Sequence, residues 1–205
     1  MATLGDLKER VILEVNRDDL VDDLAPLLST YINRSIEHYA NSRFWFNETT
    51  STAFLNIGAQ YQPLPGGIRV VDQVYIVIGD VRYQLRKREM DEIESMYSVP
   101  MTGQPTDYAI FNDSIRVWPT PSTAWQIIWL TITDVTPLTD DTSSNYWTNE
   151  GVDLIDARTR YLLYRDALRD GEGAAAAKIA EDEAYSNLKG QTNRRIGTGR
   201  TRPSW

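Results

Sequence analysis

The sequence predicts an α+β protein: a helical bundle built from both chain ends, an inserted small antiparallel β sandwich or barrel, and an extended C-terminal tail. Three observations carry this. Apolar residues recur at helical spacing within 1–46 and again within 139–189. Between them, 47–138 is rich in Val, Ile, Thr and Tyr and is punctuated by turn residues. From 190 to 205 apolar periodicity stops and basic residues dominate.

The first helix starts at Thr3, with Asp6 three residues on as a capping box, and Leu4, Leu7, Val11 and Val15 form its apolar stripe. Asn16-Arg17-Asp18-Asp19 ends it. A second helix begins near Leu24, capped by Asp22 or Asp23, with Pro26 in its first turn. Leu24, Leu28, Tyr31, Ile32, Ser35, Ile36 and Tyr39 carry its stripe to about Phe44. At about 1.5 Å per residue it is roughly 30 Å long.

The β segment opens with 49–55 and turns over 61–67. Val70–Ile78 then meets a return strand, Val81 to Leu85, through Gly79-Asp80, a pair suited to a hairpin needing positive φ at its first position. A short helical insert spans 89–96. Tyr108–Phe111 and Ser114–Trp118 form a second hairpin around Asn112-Asp113, and Trp125–Thr133 is a further strand. Five or six short antiparallel strands of this kind favour a sandwich or a partly open barrel. A polar linker, 139–145, leads to a helix over about 150–168. Asp170-Gly171-Glu172-Gly173 breaks it, and a last helix spans 174–188 with Gly190 as a natural C-cap.

At 205 residues, 41% hydrophobic and 24% charged, the chain can bury a core. The absence of cysteine removes disulfides, thiolate nucleophiles and cysteine metal sites, and fits folding in a reducing cytoplasm. The start, MATLGDLKER, lacks the apolar run of a signal peptide, and no stretch is apolar enough to span a membrane. Charge is uneven. Lys189, Arg194, Arg195, Arg200 and Arg202 stand in 189–205 without an acid, so the net −8 combines a +5 tail with a −13 body. An acidic body argues against whole-surface nucleic-acid binding and suits a tail that meets an acidic partner.

Catalytic patterns are missing. The single histidine, His38, lies off the helix stripe and reads as a surface residue, without the positioned partner a general base requires. There is no P-loop, dinucleotide fingerprint or H-E-x-x-H. Asp140 to Asn145 resembles a calcium loop, but Asn145 and Gly151 occupy the positions where an EF-hand requires Gly and Glu. Asp18/Asp19 and Asp22/Asp23 are read as caps, not as a paired-carboxylate site. No catalytic residue, metal or cofactor is expected.

Of six tryptophans, Trp118, Trp125 and Trp129 fall in or beside strands and are expected in a core. Trp45, within Phe44-Trp45-Phe46, is core or subunit interface. Trp147 and Trp205 lie outside periodic segments and are candidates for an interface with another protein chain.

Gly103 to Ile110, Ile115 to Pro121, and then Leu138, Asp141, Asn145-Tyr146-Trp147 and Asp153-Leu154-Ile155 resemble the phage head-to-tail adaptor (connector) family typified by the adaptor of coliphage SU10. Thr3 to Leu7, Leu20 to Ile36 and Leu64-Pro65 resemble it too, up to about residue 189. The resemblance implies a virion neck protein assembled in the host cytoplasm. It also implies a dodecameric ring beneath the portal protein that continues the DNA channel and offers a docking surface to a tail nozzle or tail tube protein, with no membrane partner. Genomic DNA passes through such a channel without specific binding. The tail is expected to hold the portal through Arg194, Arg195, Arg200, Arg202 and Trp205. Two alternatives are a DNA-binding protein that uses the basic tail and a carbohydrate-active enzyme on the β module.

Overall fold

The computed structural model describes residues 2–16, 21–95 and 101–196. It is α+β, in two compact units: 1–47 with 135–205, and 48–134.

In the first unit, α1 (Leu4–Val15) has the expected capping box: Asp6 N–H donates to Thr3 Oγ1 at 3.2 Å and Thr3 N–H to Asp6 Oδ2 at 2.8 Å. Asn16, at φ 51°, closes it in the left-handed region. Helix α2 (Val21–Tyr39) begins earlier than its sequence suggests, so Pro26 stands one turn inside it, and it ends at Tyr39 instead of Phe44. The expected helix from 150 to 168 is three pieces: α4 (Tyr146–Glu150), α5 (Val152–Leu162) and a π-helical turn over Leu163–Leu168. Helix α6 (Gly171–Ile196) starts where Asp170 Oδ1 accepts from the N–H groups of Glu172 and Gly173, both at 3.0 Å.

Helix α6 does not stop at Gly190. It runs on to Ile196, seven residues into the stretch expected to be extended tail. Thr192 explains part of this: its side chain is buried and its hydroxyl donates to the Leu188 carbonyl at 2.9 Å, so the helix still has a packed face beyond the glycine.

Two apolar clusters fill the unit. Leu4, Leu7, Ile32, Ile36, Phe44, Trp147, Leu154, Ile155 and Leu188 form one, and Val11, Val15, Leu28, Tyr31, Leu162 and Leu163 the other. Each draws on both ends of the chain, so neither terminal segment has a core without the other.

The second unit contains, among the described residues, β1 (Glu48–Phe54), β2 (Tyr61–Pro63), β3 (Ile68–Ile78), β4 (Val81–Gln84), β5 (Arg86–Lys87), α3 (Met90–Ser95), β6 (Thr102–Gly103), β7 (Asp107–Phe111), β8 (Ser114–Trp118), β9 (Thr120–Pro121) and β10 (Gln126–Thr133). They form sheets ordered β1-β10-β3-β4 and β2-β8-β7-β5, with β6-β9 separate. The long ladders are antiparallel, whereas the two-residue pairs β5–β7 and β6–β9 are parallel. The chain crosses between sheets at Leu85, and β5 therefore enters the second sheet away from its sequence neighbour.

The two predicted hairpin turns are present, Gly79 with φ 61° and Asn112 with φ 52°, whereas the turn expected over 61–67 begins with a strand, β2, that pairs with β8. A register shift opposite Leu130/Thr131 takes Asp72 out of the β3–β10 ladder. Val71 is therefore buried beside Val74 and Ile76, which simple alternation would forbid. The core joins these to Tyr108, Ile115, Val117, Ile127 and Trp129. Trp129 is fully buried and Trp125 packs against this cluster as expected, while Trp118 is half-buried.

Candidate functional site

Among the described residues no catalytic constellation forms. His38 is exposed, edge-on to the Tyr39 ring at 4.7 Å. Partial burial, with Arg158 and Lys178 nearby, holds its imidazole below the usual range. Among the described residues no group of three or more acidic or histidine side chains could hold a metal ion, and no helix is long and apolar enough to cross a membrane. Asp18 and Asp19 lie outside the described residues, as do the side chains of Asp22 and Asp23.

The calcium-like loop has another job. Asp140 Oδ1 accepts from Thr142 N–H at 3.0 Å and from the Thr142 hydroxyl, and Oδ2 from the Ser143 hydroxyl at 2.8 Å. These bonds lower its pKa to about 2 and use the oxygens a cation would need. The loop then receives the first N–H groups of α1: Leu4 N–H donates to Ser143 O at 2.9 Å and Gly5 N–H to Asp141 O at 3.0 Å. A β-carbon on Gly5 would stand 3.1 Å from that same oxygen.

Trp147 is not an interface residue. It is fully buried among Phe44, Phe46 and Tyr39, with ring centroids 5.4, 5.1 and 6.4 Å away. Sequence periodicity missed it because α4 is only five residues long. The Asn145 side chain fixes α4 by accepting from Trp147 N–H at 2.9 Å and Thr148 N–H at 3.2 Å.

What the fold does assemble is a cationic surface on an aromatic base. The turn after α2 is braced by Asn47, which accepts from Phe44 N–H at 2.8 Å and donates to Ser42 O at 2.8 Å. This presents Phe46 in contact with both Phe44 and Trp45, with ring centroids 5.5 and 5.1 Å away. Onto them α6 brings its last turns. Lys189 Nζ stands 4.5 Å from the Phe44 ring centre and donates to Arg43 O at 2.8 Å, and the Arg195 guanidinium lies 4.2 Å over Trp45. Trp45 is half-buried, so the expected choice between core and interface resolves into a shelf: one face supports Arg195. Arg194 is exposed, with only Gly190 O accepting from its Nε at 3.3 Å. Neither arginine forms an ion pair among the described residues. Arg200, Arg202 and Trp205 lie outside the described residues.

A helical unit drawn from both chain ends, an inserted β unit and a basic terminus make up the predicted order of elements, and a family model described as SU10 adaptor protein matches residues 2–203. The chain belongs to that family. It is a phage adaptor protein, a structural component. The match runs past 189, so it includes the basic terminus of this SU10 adaptor family member. No curated protein matches the chain.

Proposed function

We propose that this adaptor forms a ring in the neck of a tailed-phage virion, beneath the portal protein, joining it to a tail nozzle or tail tube protein and continuing the DNA channel. The family match over 2–203 carries the reading. Charge supports it. A +5 terminus on a −13 body places attraction at one end of the chain, where an acidic portal surface would meet Arg194 and Arg195 and then Arg200, Arg202 and Trp205. The acidic remainder repels phosphate, as suits a wall past which genomic DNA must slide. The work is positional, and no catalytic step is assigned to the chain.

Size-exclusion chromatography and electron microscopy with and without purified portal test this. A ring seated on the portal is expected. Portal that leaves the chain unbound sinks the proposal, and steeply salt-dependent binding to free DNA would favour the DNA-binding alternative instead. Truncation after Ile196 is the sharper test of the tail, because it removes Arg200, Arg202 and Trp205 while leaving Arg195 on Trp45. Portal binding should fall with folding unchanged.

A further inference from the structure

The β1-β10-β3-β4 sheet has two edges, and each bears apolar side chains in solvent. On β4 every residue is exposed, with Val81 at 52% and Tyr83 at 46%; on β1, Phe54 is 69% exposed. No strand lies beyond either edge among the described residues. Exposed edges of this kind are templates for another strand unless something covers them.

Strand parity says which strand fits. Each neighbouring pair in this sheet is antiparallel and the sheet has four strands, so β1 and β4 run in opposite directions. A second copy placed beside the first in the same orientation therefore sets its β1 antiparallel to β4, continuing the alternation. The backbone is ready for this. Leu85 N–H bonds Val74 O and Leu55 N–H bonds Trp125 O, so by the two-residue period the N–H and C=O groups of Arg82 and Gln84 on β4, and of Thr52 and Phe54 on β1, point outward.

Register completes the match. Thr52 lies level with Ile128, Tyr75 and Gln84 across the sheet, and Phe54 with Gln126, Val77 and Arg82. An unstaggered second copy thus opposes outward-facing Thr52 to outward-facing Gln84, and Phe54 to Arg82.

We infer that the partner of the β4 edge is the β1 edge of a second copy, making one continuous sheet from subunit to subunit. The inference rests on the ring reading above and names its subunit contact. Such a contact is heterologous, so it repeats around a ring, and a portal template would keep it from growing as a filament.

The cysteine-free chain makes the test clean. A Thr52→Cys/Gln84→Cys chain is assembled on purified portal and oxidised. Within one copy the two positions are three strand spacings, about 14 Å, apart, beyond the roughly 7 Å a disulfide can bridge. A covalent ladder on a non-reducing gel is therefore expected only from copies side by side. Thr50→Cys/Gln84→Cys reads a register shifted by two residues. A ring seen by microscopy that yields no ladder from either pair overturns the edge contact and leaves the ring standing. Absence of a ring with the unsubstituted chain overturns both. As a second route, Gln84→Pro removes an outward N–H while leaving the β3–β4 bonds of Tyr83 and Leu85 in place. Loss of the ring with an unchanged melting temperature is expected, and a persisting ring overturns the contact.

Discussion

The Arg195 guanidinium carbon lies 4.2 Å from the centre of the Trp45 ring, which fastens the last basic turn of α6 to the segment that follows α2. Arg195 is thereby held in place, although it stays exposed, like Arg194 beside it. The two adjacent arginines differ in what they touch: Arg195 rests on the Trp45 ring, whereas Arg194 Nε donates to the Gly190 carbonyl.

A double-mutant cycle measures the anchor. Trp45→Ala and Arg195→Ala should couple by about 0.5–1 kcal/mol, the range of a cation over an exposed aromatic face. Urea denaturation of the two single variants and the double variant gives the coupling directly. Additive losses would mean that the stacking contributes nothing.

Two glycines should respond to alanine with opposite signs. A β-carbon on Gly151 would stand 2.7 Å from Trp147 Cε3 and 3.3 Å from the Trp147 carbonyl oxygen. The Gly151 φ of −108° suits any residue, so the conflict is purely steric, and fully buried Trp147 has no room to retreat. Gly151→Ala should destabilise by about 1–3 kcal/mol. Gly190 lies inside α6 with nothing within 4 Å of such a carbon, and Gly190→Ala should stabilise by about 0.5–1 kcal/mol. Thermal melts of both variants decide it, and shifts of equal sign would contradict this account.

The same two sites show what the sequence could and could not disclose. The capping box of Thr3 and Asp6 and the turns at Gly79 and Asn112 were legible because their chemistry is local. Gly190 signalled a helix end by that same local logic, yet Lys189 on Phe44, buried Thr192 and Arg195 on Trp45 together outweigh the roughly 1 kcal/mol that a mid-helix glycine costs. Trp147 was misplaced because a five-residue helix offers no period to read. The linker around Asp140 imitated a metal loop because its turn is built from oxygen-bearing side chains, with Asp140 accepting from Thr142 and Ser143, while its backbone carbonyls receive the N–H groups of α1. The β1 and β4 edges were invisible, since strand order is set by contacts remote in sequence.

Glu181 is fully buried in α6 and accepts from the Tyr39 hydroxyl, from Arg158 Nη1 at 3.2 Å and from Lys178 Nζ at 3.3 Å. Tyr39→Phe removes one donor and leaves the cations, so a loss of about 1.5 kcal/mol is expected. Glu181→Ala leaves Arg158 without its carboxylate and should cost about 3 kcal/mol. At roughly 2–4 °C per kcal/mol for a chain of this size, calorimetry separates the two. A larger loss from Tyr39→Phe than from Glu181→Ala would reverse the assignment.

Asp107 should dominate the acid limb of stability in the β unit. Burial alone would raise its pKa, but hydrogen bonds from Thr106, from Arg88 at 3.0 Å and from Arg86 at 3.1 Å outweigh burial and hold it below 3.8. The unfolded chain therefore takes up this proton first. The contribution of Asp107 is complete above the unfolded carboxylate range and is lost as pH falls through the lowered folded value, between about pH 5 and 2. Asp156 works the other way. Burial raises its pKa despite Arg160 at 3.0 Å, so acid partly relieves the cost of its charge. Asp107→Asn should lower stability at pH 7 by about 2 kcal/mol and flatten the fall of the β unit in acid, whereas Asp156→Asn should steepen the fall of the helical unit, to which α5 belongs. Unfolding free energies measured by urea titration from pH 7 to pH 3 test both slopes. If Asp107→Asn kept the parent slope below pH 5, another carboxylate would have to carry the acid sensitivity.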